Sequence, residues 1–100
     1  MIKHVVMFKF RDDKPENKKI QLLEVKRALD LLPDYIPEIR SFEVGINILE
    51  SPRAYDLVIV SEFDTLETYE VYRDHPSHLD AIEIIAKYKI DAKSVDFQTE

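Results

Sequence analysis

A two-residue period opens the chain. Ile2, His4, Val6, Phe8 and Phe10 fall on one side of an extended segment, and Lys3, Val5, Met7 and Lys9 on the other, because side chains alternate along a strand. Asp12, Asp13, Lys14 and Pro15 make a turn, with the proline placed for a helix start. From about Glu16 to Leu32 the period lengthens to that of a helix. Leu22, Val25, Leu29 and Leu32 form its stripe, broadened by Ala28, with Lys18, Lys19, Glu24, Lys26 and Arg27 for the wet side. Pro33 is expected to end this helix, and Pro37 to stiffen the Asp34–Glu38 connection.

A second strand, about Ile39 to Ile48, groups Phe42, Val44, Ile46 and Ile48 and leaves Gly45 on the opposite face, where a missing side chain makes room or a bend, the plain reading being a mild bulge. Glu50 to Arg53 form the next connection. A third strand, about Tyr55 to Phe63, sets Tyr55, Leu57, Ile59 and Phe63 against Val58 and Val60. Asp64 followed by Glu67 has the spacing of a capping box, ahead of a helix on which Leu66, Tyr69 and Tyr72 share a face. The Asp74–His75–Pro76 break starts another helix, whose inward stripe is Leu79, Ile82, Ile85 and Ala86. The last strand, roughly Lys89 to Phe97, is the least regular and rests on Ile90, Val95 and Phe97.

The order is therefore β-α-β-β-α-α-β, an α+β chain with a four-stranded antiparallel sheet. All its helices arise from connections that return to one side of the sheet. They can cover Phe8, Phe42, Val44, Leu57 and Ile59, but they leave Val5, Met7, Val58 and Val60 to water. Leaving such a patch wet forgoes several kcal/mol at roughly 25 cal/mol per Å². Pairing two sheets face to face about a twofold axis removes the loss, so the expected partner is a second copy, in a barrel-like homodimer.

Composition narrows the function classes. One hundred residues with a single Gly make one domain, residues 1–100, without a long linker. Cysteine is absent, which removes disulfides, thiolate nucleophiles and sulfur-ligated metals. The first residues lack the features of a secretory peptide, and no apolar run approaches the roughly 18 residues of a membrane span. A cytoplasmic location without membrane partners is the expectation. A net charge of −6 and the lack of a basic stripe speak against nucleic acid as a partner. A single Gly excludes the standard phosphate-binding and dinucleotide loops, and no cofactor is expected.

Three histidines remain as candidate proton carriers. His4 stands on the helix-covered side of the first strand. His75 precedes Pro76, where capping is its expected role. His78 lies in the first turn of the following helix, close to Tyr72 across the break. A pocket walled by His4, Tyr72 and His78 over apolar strand residues can take an acidic proton on a neutral imidazole while a tyrosine hydroxyl holds the developing oxyanion. Burial and the helix N-terminus both keep such an imidazole neutral. His75 and His78, with Asp74 and Asp80 nearby, lack a third convergent ligand, and no metal is assigned to them. Buried, hydrogen-bonded histidines beside a core tyrosine are the alternative reading of these residues.

The segments Ile2–Phe10, Ile39–Gly45, Tyr55–Val58 with Glu62–Phe63, and above all His75–Pro76–Ser77–His78 resemble, in order and spacing, the stress-response dimeric α/β-barrel domain, often called Dabb. The resemblance spans nearly the whole chain and implies a ferredoxin-like fold whose dimer closes two sheets into a barrel. One plant relative looks like a polyketide cyclase of the olivetolic acid type, performing an intramolecular aldol condensation. Its catalytic tyrosine and histidine carry over to Tyr72 and His78, and its strand-one histidine to His4. A further pocket histidine does not carry over, because Leu57 stands there. The resemblance leaves three functions open: cyclase- or lyase-like acid–base chemistry, non-catalytic binding of a small apolar or phenolic ligand, and a structural stress-response role.

Overall fold

The computed structural model describes residues 1–99. Strand β1 (Ile2–Phe10) is followed by α1 (Pro15–Asp30), a single turn α2 (Leu32–Tyr35), β2 (Ser41–Ile46), β3 (Leu57–Phe63), α3 (Leu66–Asp74), α4 (Pro76–Ala86) and β4 (Lys89–Gln98). The strands form one sheet in the order β2-β3-β1-β4 with every pairing antiparallel. This is the ferredoxin-like arrangement.

The sheet has two unlike faces. On the helix-covered face, rows run across the strands as Phe42–Ser61–His4–Asp96, Val44–Ile59–Val6–Ser94 and Ile46–Leu57–Phe8–Ala92. The inner members of these rows pack with Val25, Leu29, Leu32, Ile36, Tyr72 and Ile85 into the core. On the open face the rows are Ser41–Glu62–Lys3–Phe97, Glu43–Val60–Val5–Val95 and Gly45–Val58–Met7–Lys93. Val95 is 63% and Phe97 44% exposed there. Buried strand residues thus fall on the even side of β1 and the odd side of β3, the expected two-residue period.

Several local expectations are corrected. Pro33 does not end the first helix. The chain breaks two residues earlier than foreseen, at Leu31, and Pro33 sits in the first turn of α2, where its missing N–H has no helical partner to lose. Gly45 sits in unbroken register opposite Val58 with no positive φ, so there is no bulge at that point. A Cβ added there meets Val58 Cγ1 at 3.1 Å, so the glycine gives room for its cross-strand neighbour. β2 stops at Ile46, and Ile48, outside it, is 91% exposed.

Tyr55 precedes β3 rather than belonging to it. It turns to the open face, where its hydroxyl donates to Asp91 and Lys9 Nζ stands 5.8 Å from its ring. The period breaks at Asp56. That residue is buried, accepts from the Phe10 amide at 2.7 Å and pairs with Lys18 at 3.2 Å. Thr65, not Asp64, caps α3. Its hydroxyl accepts from the Thr68 amide, and Thr68 Oγ1 accepts from the Thr65 amide, while Asp64 is held by Arg40. Leu66 is exposed, and α3 buries Tyr72 instead. On α4 the buried stripe is Ala81 and Ile85, with Leu79 and Ala86 turned outward and Ile82 partly exposed. The small Ala81 lets α4 lie close to α1 and α2.

Among the described residues no helix is long and apolar enough to cross a membrane.

Candidate functional site

The three sequence-predicted residues converge. His4 occupies the helix-covered row of β1, directly opposite Asp96 of β4, and its Nδ1 hydrogen-bonds the Asp96 carboxylate. Tyr69 and Tyr72 descend from α3, three residues apart on one helical face. Their rings lie 5.2 and 6.4 Å from the His4 ring, centroid to centroid. His78 enters from the first turn of α4, 4.2 Å from Tyr72.

The chain break at His75 produces this geometry. His75 ends α3 and caps α4, accepting the Ser77 amide on Nδ1 at 3.0 Å. Pro76 takes the first helical position, where no amide hydrogen is needed. The turn carries His78 back toward α3, and its Nδ1 lies 2.9 Å from the Arg73 carbonyl oxygen. A carbonyl only accepts, so the neutral His78 ring carries its hydrogen on Nδ1 and its free lone pair on Nε2. His75 Nδ1 accepts where His78 Nδ1 donates, so the two rings are committed to different backbone partners. Among the described residues no cluster of three or more His, Asp or Glu could hold a metal ion.

Burial holds the His78 pKa below its ordinary value, against the Arg73 carbonyl, which favours the charged ring. The charges of His4 and His75 push the same way as burial, and Asp74 opposes them. Burial also drives the Tyr72 hydroxyl far above the usual tyrosine range, with Tyr69 adding to the effect. Tyr69 is raised by burial and by Asp96. At neutral pH the site therefore presents an uncharged imidazole and two intact phenols.

Tyr72 is 1% exposed, and its hydroxyl has no hydrogen-bond partner among the described residues. A buried hydroxyl left unpaired costs about 1–3 kcal/mol. The Tyr72 side chain is part of the wall of a cavity of about 190 Å³ whose polar wall is His4, Tyr69, Tyr72 and His78, whose apolar wall is Val6, Phe8, Leu29, Ile59, Ile82 and Ile85, and whose remaining side is Lys89. The volume is below the roughly 300–1,000 Å³ of sites for drug-sized ligands, so the cavity suits a compact molecule. A larger, shallow cleft of about 410 Å³ lies between Arg11, Asp12, Gln21, Lys87 and Tyr88. Its charged groups are already engaged, Arg11 with the Lys87 and Lys89 carbonyls, Lys87 with Glu24 and Asp12 with Gln21.

Leu57, read from sequence as the loss of a polar group from the pocket, is 2% exposed in the core and outside the cavity wall. Sequence reasoning missed Asp96 and Lys89, whose relation to the site depends on the β1–β4 register. Ile82 it placed in the core stripe, whereas it closes the cavity.

A family model described as the stress responsive A/B barrel domain matches residues 2–99. An uncharacterised protein of Streptomyces coelicolor is 35% identical over 80 residues, 78% of this chain and 79% of its own. A dimeric protein of unknown function and ferredoxin-like fold from Bacteroides fragilis is 37% identical with a TM-score of 0.88, covering 98% of this chain and 95% of its own. A dimeric ferredoxin-like protein of unknown function from Thermobifida fusca is 31% identical with a TM-score of 0.84, covering 98% and 90%.

Proposed function

The chain belongs to the stress responsive A/B barrel domain family, and from that premise we propose that it works as a homodimer whose cavities carry out cofactor-independent acid–base chemistry on a small, largely apolar carbonyl compound. The homodimer reading is supported by the half-exposed open face, with Val5, Val58, Val60, Met7 and Val95 in adjacent rows, and by the dimeric character of the two solved relatives.

One observation carries the chemical reading: the unpartnered Tyr72 hydroxyl, buried beside a neutral His78, with both rings in the wall of a cavity that is largely apolar on its other side. Nε2 of His78 takes a proton from the carbon next to a carbonyl, and the C–H electron pair moves into the enolate. Tyr72 O–H donates a hydrogen bond to the enolate oxygen. When the enolate carbon closes on a second carbonyl, the imidazolium returns its proton to the new alkoxide, as in an aldol cyclisation. The reverse sequence is a lyase reaction. His4, oriented by Asp96, lines the same wall and positions the carbonyl end of the ligand.

Deuterium exchange at the central carbon of 1-phenyl-1,3-butanedione in D₂O reads the first step directly. The protein is expected to accelerate it, and His78→Ala and Tyr72→Phe to abolish the acceleration while keeping the dimer. Acceleration that survives His78→Ala overturns the assignment of the base. Binding of the diketone without exchange favours a ligand-binding module, a reading that the small volume and high burial of the site also suit.

A further inference from the structure

A β-bulge gives the cavity its only lysine or arginine side chain among the described residues. Along β1 and β4 the paired numbers keep one register from Ile2↔Gln98 to Lys9↔Asp91, but the next pair is Phe10↔Lys89, and the register shifts between Lys9 and Phe10. In unbroken register Ile90 would face Phe10, and Lys89 would point to the open side of the sheet with Asp91 and Lys93. The extra residue, Ile90, is left exposed, and Lys89 is moved to the helix-covered side, where it lines the cavity. Re-aiming a side chain beside a site is a recurrent use of bulges. Just beyond the shift the two strands are tied by Arg11, whose amide donates to the Tyr88 carbonyl at 2.8 Å and whose guanidinium donates to the Lys89 carbonyl at 3.4 Å.

The ammonium that arrives there is unspent. Lys89 Nζ stands 5.9 Å from the centre of the Phe8 ring and makes no ion pair or hydrogen bond among the described residues. The other lysines near this end are engaged elsewhere, Lys87 with Glu24 and Lys93 with Asp91. An aromatic face compensates an ammonium only weakly compared with a carboxylate. Phe8 and His4 are four residues apart on one face of β1, about 13 Å at 3.3 Å per residue. The cavity is therefore polar at both ends: the rings of His4, Tyr72 and His78 at one, a lysine ammonium at the other, with Val6, Ile59 and Ile85 between.

We infer that Lys89 is a specificity-determining residue, and that the ligand is a compact apolar or aromatic molecule with a carbonyl toward His78 and a carboxylate toward Lys89. This rests on the reading of the cavity as a ligand site. Uncharged compounds of the same shape bind less well because they leave the ammonium without a counter-charge.

Two probes of matched shape, 4-phenylbutyrate and 4-phenylbutanamide, test this when titrated into the full-length protein while the ring protons of His78 are followed by NMR. Wild type is expected to bind the carboxylate about tenfold more tightly than the amide. Lys89→Gln should bring the two affinities together by weakening the carboxylate alone, and Lys89→Arg should restore the preference. Equal affinity for both probes in wild type, or a preference that persists in Lys89→Gln, overturns the role of Lys89 while the site reading stands, provided both probes move the His78 signals. If neither probe moves them at millimolar concentration, the cavity is not a ligand site and both inferences fall together.

Discussion

Tyr72 and His78 lie 4.2 Å apart, ring centre to ring centre, across the break that joins α3 to α4. Only His78 has a hydrogen-bond partner, the Arg73 carbonyl oxygen, while the Tyr72 hydroxyl has none among the described residues. The pair is thus built at a cost to the ligand-free fold. Tyr72→Phe removes the unpaired hydroxyl and leaves the ring that packs against Phe63 and Phe42. It is expected to stabilise the ligand-free protein by about 1 kcal/mol, read by urea unfolding at fixed protomer concentration. A loss of stability of that size would mean the hydroxyl has a partner in solution, such as an ordered water.

His78 sets a second expectation, in pH. Its folded pKa lies below the ordinary 6.5, with burial as the largest cause. Above pH 6.5 both folded and unfolded chains carry the ring neutral, and the site costs nothing extra. As pH falls below 6.5 the unfolded chain binds the proton first, so stability declines until the folded pKa is passed and then levels off. His4, His75, Asp74 and the Arg73 carbonyl face this ring. His78→Gln should flatten this stretch of the stability–pH curve. Proton abstraction should likewise persist somewhat below pH 6.5, since the base is still neutral there. An acid limb of exchange that sets in above pH 6.5 would exclude His78 as the base.

The sheet and the three rings of the site were legible in the sequence for one physical reason. From His4 to Phe10 the even positions of β1 are buried or line the cavity, so a two-residue period places His4 on the same face as Val6 and Phe8 without knowledge of the rest of the chain. The His75–Pro76 break likewise announces a helix start that brings His78 to Tyr72. What escaped depends on pairing between distant segments. The bulge that turns Lys89 inward exists only in the β1–β4 register, and Asp96 meets His4 only as its cross-strand partner. The stripe of α4 was misjudged because Leu79 and Ile82 look more like core than Ala81. The closeness of α4 to α1 nevertheless selects the smaller side chain.

Asp56 supplies a stability prediction away from the cavity. It is buried at the start of β3, accepts the Phe10 amide at 2.7 Å and pairs with Lys18 of α1 at 3.2 Å. It ties helix to sheet through one carboxylate. Asp56→Ala leaves the amide unpaired and the Lys18 ammonium, itself largely covered, without its anion. Breaking a buried pair in this way costs about 3–5 kcal/mol, which urea unfolding should show. Asp56→Asn keeps an acceptor for Phe10 and should cost less. Equal losses in the two variants would show that the charge, and not the amide bond, is what the position supplies.

The homodimer reading turns on the open face. Val5 sits at its centre, in the row Glu43–Val60–Val5–Val95 and beside Met7 and Val58. Placed against a second sheet, Val5→Glu puts an unpaired carboxylate into a desolvated interface, in the same row as Glu43. The cost of burying an unpaired charge is several kcal/mol, comparable to the whole gain from covering a few valines at roughly 25 cal/mol per Å². Within the protomer the same side chain stands on a half-exposed surface, so the fold itself should survive. Sedimentation velocity at micromolar concentration should therefore show two copies for the wild type and one folded copy for Val5→Glu. Ile20→Glu is the control, because Ile20 is 68% exposed on α1, on the helix-covered side, far from that surface. It should leave the dimer intact. A wild type that sediments as one copy, or a Val5→Glu variant that still sediments as two, would require the valines of the open face to be covered in some other way than by a second sheet.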